Sequence, residues 1–203
     1  MKIICIGRNY VDHIRELNHS IPSDPVFFLK PDTALLIRNR PFYYPAFTGN
    51  IHYEIELALK ICKVGKNIQS KFAGNYYNEI GIGFDMTARD LQENAKQKGL
   101  PWTMAKGFDQ SAPLGKFLPK SSFPDVTNIP FHLDLNGKTV QIGNSSMMIF
   151  SFSEIIVYIS RFMTLHTGDI IFTGTPAGVG SVKQGDKLEG FIGDQKLLNC
   201  LIK

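Results

Sequence analysis

The stretch His52-Tyr53-Glu54-Ile55-Glu56-Leu57-Ala58-Leu59 carries apolar residues at every second position. A period of two belongs to a β-strand, whose successive side chains point to opposite faces. As a strand, it sends Tyr53, Ile55, Leu57 and Leu59 into a core and sets Glu54 and Glu56 side by side on the other face. Same-face neighbours on a strand lie roughly 6.6 Å apart at about 3.3 Å rise per residue. At an effective dielectric of about 20, two full charges at that spacing repel by roughly 2.5 kcal/mol. A divalent cation removes that penalty, and so does water over a solvated polar face.

The surroundings of this strand are also built for sheet. Short apolar runs end in turn signals at Asn136-Gly137, Gly168-Asp169, Gly185-Asp186 and Gly193-Asp194. Met1 to Gly7, Gly81 to Phe84, Ile170 to Phe172 and Lys196 to Ile202 read as strands. Three helices are predicted among them. The first follows the opening strand, with Asn9 as its cap, Asp12 in its first turn, and Ile14 and Leu17 as apolar contacts. The second has Thr87 and Asp90 in capping-box spacing, runs through Leu91 and Ala95 and stops at Gly99 before Pro101. The third starts near Ser151 to Ser153 with Glu154 available to the cap, and its stripe of Ile155, Ile156, Ile159, Phe162 and Met163 is expected in the core. A doubly wound Rossmann layout needs regular alternation of strand and helix, which is missing. The expected class is α+β, a mixed and mostly antiparallel β architecture with a few peripheral helices.

The 203 residues suit one domain, 1–203, and no repeat or long linker divides them. A net charge of +4 with scattered Lys and Arg gives no basic run to follow a phosphate backbone, so no nucleic acid partner is expected. No apolar run reaches the length of a membrane span or a signal peptide, so no membrane partner is expected either. Cys5, Cys62 and Cys200 are odd in number and far apart, which fits a reducing, cytoplasmic location better than a disulfide framework or a thiolate zinc site.

Several polar residues stand where chemistry is possible. Asp85 follows the predicted Gly81–Phe84 strand directly, as a turn residue or a loop aspartate facing a cleft. With Glu54 and Glu56 it would make an all-oxygen site, which favours Mg²⁺ or Mn²⁺ over zinc. Arg89 and Gln92 share a helix face and could hold a substrate carboxylate and carbonyl, or simply face solvent. Lys106 is isolated among apolar residues, as suits burial beside negative charge. His13 and Glu16 are spaced for a general base with its orienting carboxylate, or for a surface ion pair. His19, His52, His132 and His166 offer no usable spacing. Phe172 to Gly180 is glycine-rich, but it lacks the Gly-Lys-Ser/Thr ending of a phosphate loop; Thr175 is its candidate ligand-contacting residue, with a structural turn as the alternative.

Seven stretches in order resemble the fumarylacetoacetate hydrolase family, in its short acylpyruvase-like branch. They are Gly7-Arg8-Asn9-Tyr10 through Glu16, Phe28-Leu29-Lys30-Pro31, His52 to Leu57, Gly83 through Gln92, Lys106-Gly107-Phe108-Asp109, Gly143-Asn144 through Phe150, and Gly168-Asp169 through Gly180. The resemblance implies a roll-like β fold and a Mg²⁺ or Mn²⁺ ion on Glu54, Glu56 and Asp85. It implies a His13–Glu16 base on a lid spanning residues 9–20, Lys106 as charge stabiliser, and substrate contacts from Arg89, Gln92 and Thr175. A homodimer, and the absence of the separate N-terminal domain of larger relatives, are further expectations. Ser145 stands where the family usually has Thr, and His166-Thr167 where it has an acidic residue and Pro; both changes read as structural.

The activity this implies is metal-dependent cleavage of the C3–C4 bond of acylpyruvates, 2,4-dioxo acids such as fumarylpyruvate or acetylpyruvate. Decarboxylation or tautomerisation of oxaloacetate would reuse the same groups, as would a hydratase or isomerase of a 2-oxo acid. A cation-stabilised module that binds small acids without turnover is the non-enzymatic alternative.

Overall fold

In the computed structural model, which describes residues 1–16 and 20–203, the alternating and apolar runs become fourteen strands. The first seven are β1 (Ile3–Gly7), β2 (Val26–Lys30), β3 (Leu35–Leu36), β4 (Ile51–Tyr53), β5 (Ile55–Ile61), β6 (Tyr77–Phe84) and β7 (Thr87–Ala88). The others are β8 (Ala112–Pro119), β9 (Pro130–Leu135), β10 (Lys138–Asn144), β11 (Ile170–Phe172), β12 (Gly180–Ser181), β13 (Lys187–Ile192) and β14 (Gln195–Leu201). The helices are α1 (Val11–Glu16), α2 (Ser70–Ala73), α3 (Arg89–Lys98), α4 (Thr103–Lys106) and α5 (Phe152–Phe162). Two of these, α2 and α4, are single-turn helices that the apolar periodicity does not announce. Leu17 and His19, and with them part of the expected 9–20 lid, lie outside the described residues.

The strands form a seven-stranded sheet in the order β2-β1-β11-β5-β6-β8-β3, a four-stranded sheet β10-β9-β13-β14 and a small sheet β12-β4-β7. Among the described residues only β1–β11 and β3–β8 pair in parallel. The sheet is therefore mixed and mostly antiparallel, as the turn signals predict. One face of the large sheet, with Leu57, Leu59, Ile80 and Ile82, packs on Leu133, Leu188 and Leu198 of the second sheet and on Ile155, Ile156 and Ile159 of α5. The other face carries a smaller cluster around Cys5, Ala58 and Phe172. The two sheets approach closely at Gly115, where a Cβ would lie 2.6 Å from the Leu197 carbonyl oxygen. No described helix is long and apolar enough to cross a membrane.

Three local expectations are corrected. Asn9 does not cap α1: its side-chain amide donates to the carbonyls of Phe150 (3.0 Å) and Thr173 (2.8 Å), and its Oδ1 accepts from Phe150 N–H. Thr87 and Asp90 form no capping box, because Thr87 lies in β7 and Asp90 accepts from the Thr48 hydroxyl and the Gly49 and Leu91 amides. Phe162 is 58% exposed at the end of α5, its ring tilted against Tyr158 and Phe27 rather than placed in the core. By contrast, Ser151 and Glu154 form a complete capping box, and α3 ends on a left-handed Gly99 (φ 64°) as its spacing predicts.

Candidate active site

Two strands leave the large sheet at the same level, and each break holds a carboxylate. Glu54 lies between β4, in the small sheet, and β5, in the large one; Asp85 lies between β6 and β7 in the same relation. The Asp85 amide donates to the Glu54 carbonyl (2.8 Å), which ties the two crossings together. Glu56, one pair further along β5, sits opposite Gly83 of β6, where a Cβ would collide with the Phe172 ring at 2.3 Å. The alternation therefore does not mark a solvated face: β5 is central and covered on both sides, and Glu54, Glu56 and Asp85 are 5%, 1% and 1% exposed. One oxygen from each lies within 4.8 Å of the others.

Cations are built around this triad. The Lys106 ammonium, at the end of α4, donates to Glu54 Oε2 (2.7 Å), Asp85 Oδ2 (2.7 Å) and Thr87 Oγ1 (2.6 Å). Arg89, the first residue of α3, donates to Glu54 Oε1 and to Gln92 Oε1 (2.6 Å). Burial alone would raise the Glu54 carboxyl, but Lys106 and Arg89 outweigh it and hold it well below the usual carboxylate range. Glu56 moves the other way: burial, then the charges of Asp85 and Glu54, push it well above that range despite the Gly174 N–H donated to Oε2 at 2.6 Å. Lys106 is raised, since the attraction of Asp85 and Glu54 exceeds its burial penalty.

The donor set suits a hard divalent cation, being three carboxylates without nitrogen or sulfur. Asp85 Oδ1 is buried and accepts no hydrogen bond, although Lys30 Nζ lies 2.8 Å away. Three buried carboxylates, each offering an oxygen within one ion's reach of the others, are what a cation would complete.

The glycine-rich segment after β11 wraps this floor and gives its backbone amides to carboxylates. Its Gly174 amide serves Glu56, and its Gly178 amide donates to Glu16 Oε1 at 3.2 Å. Thr175 is buried and accepts from Gln141 Nε2 (2.9 Å). His13 is 6% exposed, and its Nδ1 lies 3.1 Å from Glu16 Oε2. All nine candidate residues thus converge: eight line one cavity, and Glu16 stands behind His13. A solvated face for Arg89 and Gln92 is excluded by their burial, at 5% and 4% exposed.

The cavity also has walls that spacing alone did not assign. Arg8, Phe28, Lys96 and Trp102 line it. Beneath it lies Lys30, whose fully buried ammonium contacts Asp85, the Ser111 hydroxyl (3.0 Å) and carbonyl (3.1 Å), and the Lys106 carbonyl. The signal that singles out Lys106, a lysine isolated in apolar sequence, is present in Val26-Phe27-Phe28-Leu29-Lys30 as well.

The family model described as fumarylacetoacetate (FAA) hydrolase, C-terminal, matches residues 2–200. The chain belongs to the fumarylacetoacetate hydrolase family. A mitochondrial oxaloacetate tautomerase of Bos taurus is 47% identical over 190 residues, covering 94% of this chain and 86% of that protein. A mitochondrial oxaloacetate decarboxylase of Dictyostelium discoideum is 43% identical over 189 residues, covering 93% and 87%. The crystal structure of fumarylpyruvate hydrolase from Pseudomonas aeruginosa in complex with Mn²⁺ and pyruvate is 37% identical, with a TM-score of 0.94 over 100% of this chain and 89% of that one.

Proposed function

We propose that this chain is a divalent-metal-dependent enzyme of small 2-oxo acids that moves a proton at C3 of an oxaloacetate-type substrate, interconverting its keto and enol forms. The observation that carries this reading is the placement of the His13–Glu16 pair on the same cavity as a buried triad already crowded with cations. The oxaloacetate enzymes at 47% and 43% identity support the substrate class.

Glu54, Glu56 and Asp85 would hold Mg²⁺ or Mn²⁺, which when bound supplies Lewis-acid polarisation of the 2-oxo group and makes the C3 proton more acidic. His13 takes that proton and returns it, while the Glu16 carboxylate at Nδ1 orients the ring and stabilises its protonated form. Lys106 supplies positive charge where the 2-oxo oxygen becomes negative. Arg89, whose buried Nε has no partner among the described residues, has a donor left for the substrate, and Gln92 and Thr175 complete its polar surroundings. Loss of CO₂ from C4 breaks the C3–C4 bond and leaves its electron pair on C3 as pyruvate enolate, which the same groups would stabilise and His13 would protonate, so decarboxylation needs no additional group.

Acylpyruvate hydrolysis is the second reading, favoured by the same base and by the 37% identical fumarylpyruvate hydrolase. His13 would then deprotonate a water that adds to C4. The C3–C4 bond breaks, its electron pair stays on C3, and protonation there yields pyruvate and a carboxylic acid.

Both readings are tested by following oxaloacetate enolisation, its decarboxylation and acetylpyruvate cleavage with Mg²⁺, with Mn²⁺ and in EDTA, each above the spontaneous rate. The His13→Ala variant is expected to lose roughly 10²-fold or more, as on removal of a general base. Near-native turnover by that variant sinks the assigned role. Absence of any metal-dependent turnover by the native protein favours the non-enzymatic binding module.

A further inference from the structure

The floor of the cavity already pairs its charges internally: Glu54 and Asp85 hold Lys30, Lys106 and Arg89 in buried ion pairs. Two more cations line the same cavity, Arg8 and Lys96. Lys96 lies on the face of α3 that carries Arg89 and Gln92, at i+7 and i+4 from them. Its ammonium stands 5.8 Å from the Trp102 ring, and Trp102 meets Phe28 edge-on at 6.0 Å. This aromatic wall displaces water, which strengthens any charge–charge contact made beside it. Burial, with the nearby charges of Arg89 and Arg8, holds Lys96 below the usual lysine range.

Arg8 is the more telling of the two. It directly follows β1 and takes a left-handed backbone (φ 60°), a conformation unfavourable for a residue with a side chain. Arg8 is partly buried and lines the cavity, and its side chain makes no hydrogen bond or ion pair with any other described residue. Strained backbone tends to gather at sites of function, and here it delivers an uncommitted bidentate donor to the substrate cavity.

We propose that Arg8, together with Lys96, forms the subsite for a second carboxylate, so that the enzyme selects dicarboxylic over monocarboxylic 2-oxo acids. The inference rests on the 2-oxo acid reading above and adds to it the class of group carried at the far end of the substrate. A guanidinium paired with a carboxylate in a partly desolvated site makes two parallel charge-assisted bonds, which a neutral acyl end cannot return.

The test uses Mn²⁺-loaded protein and two ligands without a C3 proton, oxomalonate (dicarboxylic) and glyoxylate (monocarboxylic), with affinities measured by calorimetry. Arg8→Gly removes the guanidinium at a position whose φ suits glycine, so its melting temperature is expected to equal or exceed that of the native protein. Oxomalonate affinity is expected to fall about 30-fold or more in Arg8→Gly, as on loss of one partner of a desolvated charge pair, with glyoxylate changed less than about threefold. Arg8→Lys, which keeps the charge, is expected to recover part of the loss. In turnover, Arg8→Gly is expected to raise KM for oxaloacetate and to leave KM for acetylpyruvate in place. Equal weakening of both ligands, or no weakening of oxomalonate, overturns the subsite. The binding arm reads it even if the native protein turns over neither substrate, which would count against the proposed reaction alone.

Discussion

Lys30→Met is the substitution that most directly tests the electrostatic frame of this site. The side chains are close in length, so little cavity results, and what is removed is one fully buried positive charge. That charge lies 2.8 Å from Asp85 Oδ1, where an effective dielectric of about 20 gives an attraction of roughly 6 kcal/mol. Asp85 keeps Lys106 at its other oxygen, and the Lys106 carbonyl keeps the Ser111 hydroxyl (2.8 Å), so only part of that attraction is lost. Removing one member of a buried ion pair costs about 3–5 kcal/mol, and the compensation just described gives no reason to exceed that range. With a urea slope of roughly 2 kcal/mol per molar, the midpoint should fall by about 1.5–2.5 M. Unfolding can be followed by the fluorescence of Trp102, the single tryptophan, in EDTA so that bound metal does not add its own stabilisation. Lys60→Met is the control. Its ion pair with Glu79 is shorter, at 2.6 Å, but the two side chains are 42% and 30% exposed, and such pairs contribute less than about 1 kcal/mol. If the two variants lose the same stability, or Lys30→Met loses less than about 1 kcal/mol, burial is not what gives the Lys30–Asp85 pair its weight.

Two other perturbations probe the triad and the sheet. Glu56→Gln is expected to weaken Mg²⁺ and Mn²⁺ binding by more than the roughly 10–100-fold seen on losing an outer partner of a metal site; calorimetry showing unchanged affinity would count against the triad. Asp169→Asn removes a buried carboxylate that accepts from the Lys2 amide (2.8 Å), the His166 amide (2.8 Å) and the Lys2 ammonium (2.6 Å), and should cost about 1–3 kcal/mol at pH 7. Burial would raise the Asp169 carboxyl, but these donors hold it below its ordinary value of 3.8, so its contribution is complete above that pH and is lost as pH falls through the lower folded value. The gap between native and variant should therefore close in acid; a gap independent of pH would show that the charge is not the source.

The expectations that succeeded and failed divide by the range of the competing interactions. Ser151 and Glu154 cap α5 as their spacing predicts because both are solvent-facing and nothing distant claims them. Asn9 carries an equally good capping signal, yet its amide is drawn to carbonyls 141 and 164 residues away. Thr87 is likewise claimed by the Lys106 ammonium, and its hydroxyl turns to the Asp85 carbonyl. Long-range partners that satisfy a buried group outweigh a local cap of about 1 kcal/mol. Arg8 carried too little local pattern to be assigned a role, since a strained arginine is defined by what surrounds it in space, whereas Lys30 carries the same apolar-flanked signal as Lys106.

Read alone, the sequence determined the strand character of the Glu54–Glu56 segment, the reversals at its glycines and the residue types gathered for a hard cation. Periodicity and turn chemistry act over a few neighbouring residues, so they can be read along the chain. Only the tertiary structure decided that both faces of that strand are covered, that Glu54 and Asp85 occupy matching breaks between two sheets, and that Lys30, Lys106 and Arg89 balance them. Those outcomes follow from desolvation and Coulomb attraction, which act through space and depend on how the sheets close over the charges.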